Sequence, residues 1–293
     1  MNIQFYINRP HDSEYTEAEF PIVLDDFRRM IDIFVYLINT MAEEKLKDES
    51  WRYYSETLAI KYTLNANSLS QILGGSRLES SLSNVATNII DLSSLFILMR
   101  AEIENYLTFY YLYIQPKTKS EQEYRFLIYE LAGLTSRQKL NIVIPEVEAK
   151  KKEEEKRIDE IIQSLAQNRF FLSLDQVQQK KILKDRTAKL VGWNILVEQT
   201  ELTSEVFRKL WKLSSNYAHS EYLSLMQIKE YLTKPHEVVS TRNLIQTMLM
   251  MLTCGFITDF SGLYPEIAQR FAKLPANDIR VIQLFTRTAK AQI

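Results

Sequence analysis

The segment from Asp91 to Pro116 constrains the fold of this 293-residue chain more than any other. Its apolar residues recur at spacings of three and four, the period of an α-helix. A second set of large apolar residues occupies the opposite side, and a helix that is apolar nearly all round has to be surrounded by other helices. The segment therefore predicts the central helix of an all-α protein, with Leu92, Leu95, Phe96, Met99, Ile103, Leu107, Tyr110 and Ile114 on one side and Ile97, Leu98, Phe109 and Tyr113 on the other.

Turn-forming residues are scarce, since the chain has only 6 glycines and 7 prolines. A sheet-rich chain of this length would need many tight turns, which depend on those residues. Helix ends are marked instead: Gly74-Gly75 predicts a helix end, and three Ser/Thr-x-x-Glu capping boxes predict helix starts. We therefore predict a multi-helix bundle with long antiparallel helices, forming a single domain over residues 1–293. The three capping boxes are Thr16–Glu19, Ser76–Glu79 and Thr118–Glu121.

Two segments stand apart from this pattern. Residues 1–15 alternate around Ile3, Phe5 and Ile7, which predicts an extended N-terminal arm. Residues 146–168 are highly charged, and their Glu–Lys and Glu–Arg pairs four residues apart favour a solvated helix that protrudes from the bundle. The alternative is that this charged helix is an interaction tail.

Several function classes are excluded or disfavoured. The formal net charge of −1 creates no global attraction to nucleic acid or anionic membrane. Cys254 is the only cysteine, which excludes an internal disulfide and a cysteine-built zinc site. The apolar stretch between Arg242 and Asp259 is shorter than the roughly 20 residues that span a bilayer, so it predicts a core helix. The N-terminal sequence lacks the basic start and apolar run of a signal peptide, and we expect a cytoplasmic protein with no membrane partner.

Nucleotide and metal motifs are missing as well. The stretch GGSRLES has the wrong spacing for a P-loop or a G-x-G-x-x-G turn. None of His11, His219 and His236 has a glutamate three residues before it, as helical di-metal sites require. We therefore predict no metal and no cofactor.

Arg100 and Glu104 lie one helical turn apart at the edge of the apolar stripe of the central helix. A charge pair in this position is either a structural ion pair or part of a pocket that orients a ligand. A buried pair adds little net stability after desolvation, although breaking one is costly.

His219 is the second candidate. We predict one long helix that is capped by Thr203 or Ser204 and ends at Pro235, with a core side outlined by Phe207, Leu210, Ser214, Tyr217 and Leu225. On a separate stripe of this helix His219 is surrounded by polar and aromatic residues, and a histidine in such a place can titrate near neutrality and act as an acid or a base. The alternative is a histidine that is hydrogen-bonded across a helix–helix seam. This stripe consists of Arg208, Lys212, Ser215, His219, Tyr222 and Met226.

A basic stretch lies further upstream in the sequence, interrupted only by Asp185. It could contact phosphate groups, or it could be a solvated helix face. Its cations are Lys180, Lys181, Lys184, Arg186 and Lys189.

The sequences LMRAEIENYLTFYYLY at residues 98–113 and LWKLSSNYAHSEY at residues 210–222 resemble all-α bacterial proteins related to the HEPN superfamily. The resemblance covers residues 76–228. It implies a helical bundle that is either a metal-independent ribonuclease of a toxin or phage-defence system or a non-catalytic module that binds nucleotides or partner proteins.

The nuclease members of that superfamily have an arginine and a histidine separated by four to six intervening residues, usually across a dimer. His219 matches the histidine. The arginine window holds Lys212, Leu213 and Ser214, and lysine lacks the planar fork that grips phosphate in two places. Arg208 lies on the same face but too far back in sequence, so Arg100 from the neighbouring helix is the candidate replacement.

Two functional hypotheses follow. In the first, the chain is a non-catalytic module that binds a protein partner or a small ligand in a polar crevice between the two helices. In the second, it is a ribonuclease in which His219 provides the acid–base chemistry, with Arg100 or Lys212 stabilising the phosphate. Glu104, Ser215, Tyr222 and Arg208 are the predicted binding residues. A homodimer is compatible with both hypotheses, RNA is a candidate partner, and the missing arginine favours the first.

Overall fold

The computed structural model describes residues 1–8, 15–44, 50–82, 85–140, 145–200 and 205–290. Within these ranges the chain is helical apart from one β-hairpin, which confirms the predicted all-α fold. Where we predicted a single domain, the chain forms two compact units: residues 1–108 together with residues 197–293, and residues 109–196. We call them the first and the second unit.

The first unit contains most of the helices. Its elements before residue 109 are α1 (Ile3–Ile7), α2 (Phe20–Glu43), α3 (Ser50–Leu73), β1 (Ser76–Ser80), β2 (Val85–Ile89) and α4 (Leu92–Phe109). The second unit continues with a π-helical turn (Tyr110–Ile114), α5 (Lys119–Gln138), α6 (Pro145–Gln167), α7 (Arg169–Ser173) and α8 (Gln176–Asp185). The remaining helices are α9 (Trp193–Gln199), α10 (Glu205–Ala218), α11 (Tyr222–Thr233), α12 (Pro235–Ser261), α13 (Pro265–Ala272) and α14 (Ala276–Lys290).

The core of the first unit forms around α12, which packs against α14, α2 and α3. Phe34 on α2 meets Phe256 and Phe260 on α12, with ring centroids 5.0 Å and 5.4 Å apart. By length and composition alone the segment His236–Ser261 could cross a membrane, but 72% of its apolar window is buried. Most of its apolar side chains are buried, with Leu244 as an exposed exception, so it serves as the predicted core helix.

The second unit has a core of its own, to which α5, α6, α7 and α8 all contribute. Ile161 and Leu165 bring α6 into this core, and Arg157 on α6 donates to Glu130 on α5 at 2.9 Å. The charged segment 146–168 is therefore helical as predicted, but it packs along α5 instead of protruding. The buried core residues are Tyr124, Leu127, Ile128, Leu131, Ile161, Leu165, Phe171 and Ile182.

The N-terminal segment differs from the extended arm that we predicted. Residues 3–7 form α1, because Asn2 accepts a hydrogen bond from the backbone N–H of Gln4 and caps the turn. The buried side chains of Ile3 and Tyr6 share one side of this turn, and Tyr6 packs edge-on against Phe285 of α14 at 5.1 Å. Residues 9–14 of the predicted arm lie outside the described residues.

The three capping boxes have different outcomes. The box at Thr118 forms at the N-cap of α5, where the threonine hydroxyl accepts the backbone N–H of Glu121 at 3.1 Å. At Thr16 the hydroxyl accepts the backbone N–H of Glu19 at 3.3 Å, but these residues form a turn before α2, which begins at Phe20. The prediction at Ser76 is wrong, because residues 76–80 pair with residues 85–89 as an antiparallel hairpin. Strand pairing between distant residues has overridden a local helix signal there.

Candidate functional site

Residues that we predicted to line a polar crevice meet between α4 and α10, both in the first unit. Phe96 stacks on Tyr217 with ring centroids 4.4 Å apart, one turn further Arg100 reaches Ser215, and Glu104 then meets Trp211. As the residue numbers of these contacts increase along α4, those of their partners decrease along α10, so the two helices run antiparallel. Ser214 on α10 is fully buried, and its hydroxyl donates to the carbonyl of Leu210.

Four side chains form a polar cluster on the seam between α4 and α10: Arg100, Glu104, Trp211 and Ser215. The Nε of Arg100 donates to Oε1 of Glu104 at 2.9 Å, and its Nη1 donates to the hydroxyl of Ser215 at 2.9 Å. The indole N–H of Trp211 donates to the same Glu104 oxygen at 3.1 Å. The guanidinium carbon also lies 5.6 Å from the centre of the Trp211 ring, within cation–π range.

The predicted long helix ends much earlier than expected. The chain leaves α10 through a Schellman turn, in which Glu221 N–H bonds the carbonyl of Asn216 and Ser220 N–H bonds that of Tyr217. Ser220 adopts the left-handed conformation with φ 52°. The helix then restarts as α11, and Leu225, which we predicted on the core side, is exposed; the predicted caps Thr203 and Ser204 lie outside the described residues.

This turn determines the position of His219. It occupies the C-cap of α10, where its side chain is exposed, one turn beyond Ser215. The partners that the structure gives Arg100 are Glu104 and Ser215, and His219 is not among them. Arg100 and His219 thus lie on the same seam at successive turns, without a shared hydrogen bond.

The other predicted site residues lie around this cluster. Lys212 is exposed, and Arg208 makes only long contacts at 3.7 Å to Glu198 and 3.9 Å to Glu205. Tyr222, at the start of α11, is 80% exposed. The structure joins Arg100, Glu104 and Ser215 directly and leaves Lys212, His219 and Tyr222 on the surface nearby.

Sequence reasoning missed two residues. Trp211 lies one turn before Ser215, beside the predicted polar stripe, and that position could have indicated its role. Glu102 is fully buried, and among the described residues neither carboxylate oxygen meets the geometry of a hydrogen bond. Its place between Met99 and Tyr106 on the apolar side of α4 was the available signal. Burial raises the pKa of Glu102 well above its ordinary range, and Asn65 and Lys61 on α3 oppose this rise only in part.

The contacts of Arg100 determine how readily it could bind a phosphate group. The positive charge of Arg100 is neutralised by Glu104, and the side chains of both are only 22% and 28% exposed. A phosphate would have to compete with a carboxylate that is already in place. In the described part of the chain, no three His, Cys, Asp or Glu side chains are grouped as metal ligands.

No family model matches the chain, and no curated protein sequence or solved structure matches it significantly.

Proposed function

We propose that this chain is a non-catalytic, HEPN-like interaction module of the cytoplasm that binds a protein partner through α11. The observation that supports this proposal is that α11 exposes apolar side chains to solvent. The outward stripe of this helix is formed by Tyr222, Leu225, Met226, Lys229 and Leu232, all of them exposed, whereas its one buried residue is the polar Ser224.

An exposed apolar stripe of this kind is unusual for a surface that faces only water. Helices of soluble proteins normally turn their apolar side towards the core. Contiguous exposed apolar patches on soluble proteins mark interaction sites. The Schellman turn at Ser220 fixes where α11 begins, and the polar cluster ties α10 to α4, so the stripe is presented by a supported element.

The partner that best fits this stripe is a second copy of the chain. A two-fold interface brings the same patch against itself, so it must be self-complementary. Exposed charges of both signs lie along α11. Glu221 directly precedes the helix, and Lys229 lies within the stripe. An antiparallel pair of α11 helices would place apolar side chains together and opposite charges near one another. The net charge of −1 leaves little repulsion between copies.

The first experiment measures mass in solution. Light scattering and sedimentation at about 10–100 μM should give twice the 34.5 kDa of one chain. Leu225→Glu combined with Met226→Glu should shift the dissociation constant upward by at least about tenfold, because it places two charges in an apolar contact. Leu64→Glu, at an exposed leucine on α3, is the control and should leave the dimer intact. A wild-type monomer throughout this range would contradict self-association.

The second experiment addresses catalysis. The wild type and His219→Ala are incubated with mixed-sequence RNA in the presence of a chelator. We expect both to leave the RNA intact, since Arg100 is committed to Glu104. Metal-free cleavage that is lost in His219→Ala would instead establish the ribonuclease alternative, which the position of Arg100 and His219 at successive turns of one seam favours. The self-association test and the cleavage test can each give a negative result without affecting the other.

A further inference from the structure

The hairpin formed by β1 and β2 is not covered by the rest of the protein. Residues 76–80 and 86–89 include no buried side chain, and the two strands pack on each other more extensively than on any other described element. Leu78, at the centre of β1, is 57% exposed. A lone two-stranded hairpin is only marginally stable in water, and additional strands stabilise it. The hairpin is therefore a small sheet that a strand from outside would complete.

The pairing register separates the side chains of β1 onto two faces. Leu78 lies opposite Thr87 on one face. Arg77 and Glu79 project from the other face, because successive side chains of a strand alternate. These two charged side chains contact each other along the strand at 3.4 Å and are 65% and 63% exposed. Both the apolar centre of β1 and its two charges are thus accessible to a partner.

The outer edge of β1 is free. The described part of the chain has a sheet of only two strands, so β2 pairs with one edge of β1 and the other edge faces no strand. Unpaired edges promote pairing with another chain, and proteins often protect them with charged side chains. Charges of a single sign would repel a second copy. β1 instead carries one charge of each sign, which does not protect it against its own sequence.

We propose that β1 pairs antiparallel with β1 of a second copy of the chain. The sequence SRLES supports this partner, because its opposite charges are placed symmetrically about Leu78. When Leu78 of one copy lies opposite Leu78 of the other, Arg77 of each copy lies opposite Glu79 of the other. Opposite charges across an antiparallel pair stabilise it, and like charges destabilise it. The product is a four-stranded sheet with a two-fold axis at Leu78.

The outer edge of β2 is a poorer candidate for self-pairing. Residues 85–89 carry no charged side chain, so charge complementarity sets no register for two copies of β2. The edge of β1 combines an exposed apolar centre with flanking charges that specify one register.

This contact is independent of the proposed self-association through α11. Two different two-fold contacts on one chain can link pairs of copies into larger assemblies. Because only five residues of each copy pair, we expect the β1 contact to be weaker than that of α11. We therefore test it by covalent trapping in the full chain that carries Leu225→Glu and Met226→Glu, so that failure of one interface does not decide the other.

Cysteine cross-linking tests the register. Leu78→Cys is incubated at about 100 μM with oxidised glutathione, and the dimer is measured on non-reducing gels. Directly opposed residues of antiparallel strands have Cα atoms about 4.5–5.5 Å apart, which a disulfide can bridge. Ser76→Cys, also exposed and on the same face, is the matched control, because the two copies of residue 76 would lie about 13 Å apart along the strands. We expect at least about fivefold more dimer from Leu78→Cys, and none from the parent chain, whose Cys254 is buried.

Charge exchange tests the partner. In the Leu78→Cys chain, Arg77→Glu alone or Glu79→Arg alone brings like charges opposite one another and should lower the dimer yield at least about fivefold. An equimolar mixture of the two variants restores both opposite-charge pairs and should recover the yield, with cross-links between unlike chains that a tag on one of them reveals.

Two results would overturn the proposal. One is equal cross-linking, or none, for Leu78→Cys and Ser76→Cys, which would leave the edge to a strand of another protein. The other is a mixture of the charge variants that cross-links no better than either variant alone, which would show that Arg77 and Glu79 do not meet across copies.

Discussion

Glu102 is a buried residue whose side chain is unfavourable for the stability of the fold. It lies on the apolar side of α4 and is fully buried, and among the described residues neither carboxylate oxygen meets the geometry of a hydrogen bond. Burial in such a place makes the ionised carboxylate costly, which is the cause of its raised pKa. Nearby Tyr62 directs its hydroxyl to Thr253 at 2.7 Å.

We expect Glu102→Gln to change how stability depends on pH. Because the folded pKa is raised, the native state holds up to one more proton than the unfolded state at pH values between the ordinary value of 4.5 and the folded pKa. The wild-type free energy of unfolding should then fall with rising pH by up to about 1.4 kcal/mol per unit, a loss that glutamine cannot undergo. Urea unfolding at pH 5, 6.5 and 8 should show that the free energy of unfolding of the variant increases relative to that of the wild type as the pH rises.

Glu79→Gln, at an exposed strand position, is the control, and its free energy of unfolding should depend on pH as that of the wild type does. The same pH dependence for Glu102→Gln and the wild type would show that Glu102 is already ionised.

The junction between α10 and α11 shows how a backbone turn can end a helix that the sequence pattern would continue. The apolar and polar periodicity continues through residues 218–222, so a single helix was predicted. Two Schellman hydrogen bonds and the left-handed Ser220 stop it instead. The consequence reaches further than the turn, because the restarted helix α11 directs Leu225 and Met226 outwards.

Ser220→Gly is expected to raise the free energy of unfolding by about 0.5 kcal/mol, since glycine relieves left-handed strain of about 1–2 kcal/mol at the expense of backbone entropy. Ser220→Val should lower it by about 1–2 kcal/mol because a β-branched residue is disfavoured at positive φ. Chemical denaturation of both variants provides the measurement. Ser68→Gly, inside α3, should instead lose about 0.5 kcal/mol. If Ser220→Gly lost as much as Ser68→Gly, the turn would not be left-handed in solution.

At the scale of the whole molecule, two separate cores support two separate surfaces. The first unit is organised around α12, and the second around Ile161, Leu165 and their neighbours. The exposed stripe of α11 belongs to the first unit, and the exposed lysines of α8, Lys180, Lys181 and Lys184, belong to the second. Proteins with distinct cores often unfold as distinct cooperative units.

Leu165→Ala should therefore act on one unit only. Removing this fully buried side chain should cost the second unit about 2–5 kcal/mol through lost burial and the cavity left behind. In hydrogen–deuterium exchange the amides of α5–α8 should lose protection, whereas those of α12 and α14 should keep theirs. Leu249→Ala, in the core of the first unit, should give the opposite pattern. Equal loss of protection throughout the chain after either substitution would mean that the two units unfold together.

The sequence by itself determined the features that depend on neighbouring residues. Helical periodicity, the threonine–glutamate hydrogen bonds at Thr16 and Thr118, the stop at Gly74-Gly75 and the Arg100–Glu104 pair follow from contacts within a few residues, which a helix makes wherever it lies. Only the tertiary structure decided that Ser76 begins a strand, that α6 lies on α5, that Arg100 meets Ser215, and that the apolar stripe of α11 faces solvent. Those outcomes depend on which distant segments come together, because burial is a property of the surroundings of a side chain and not of its spacing along the chain.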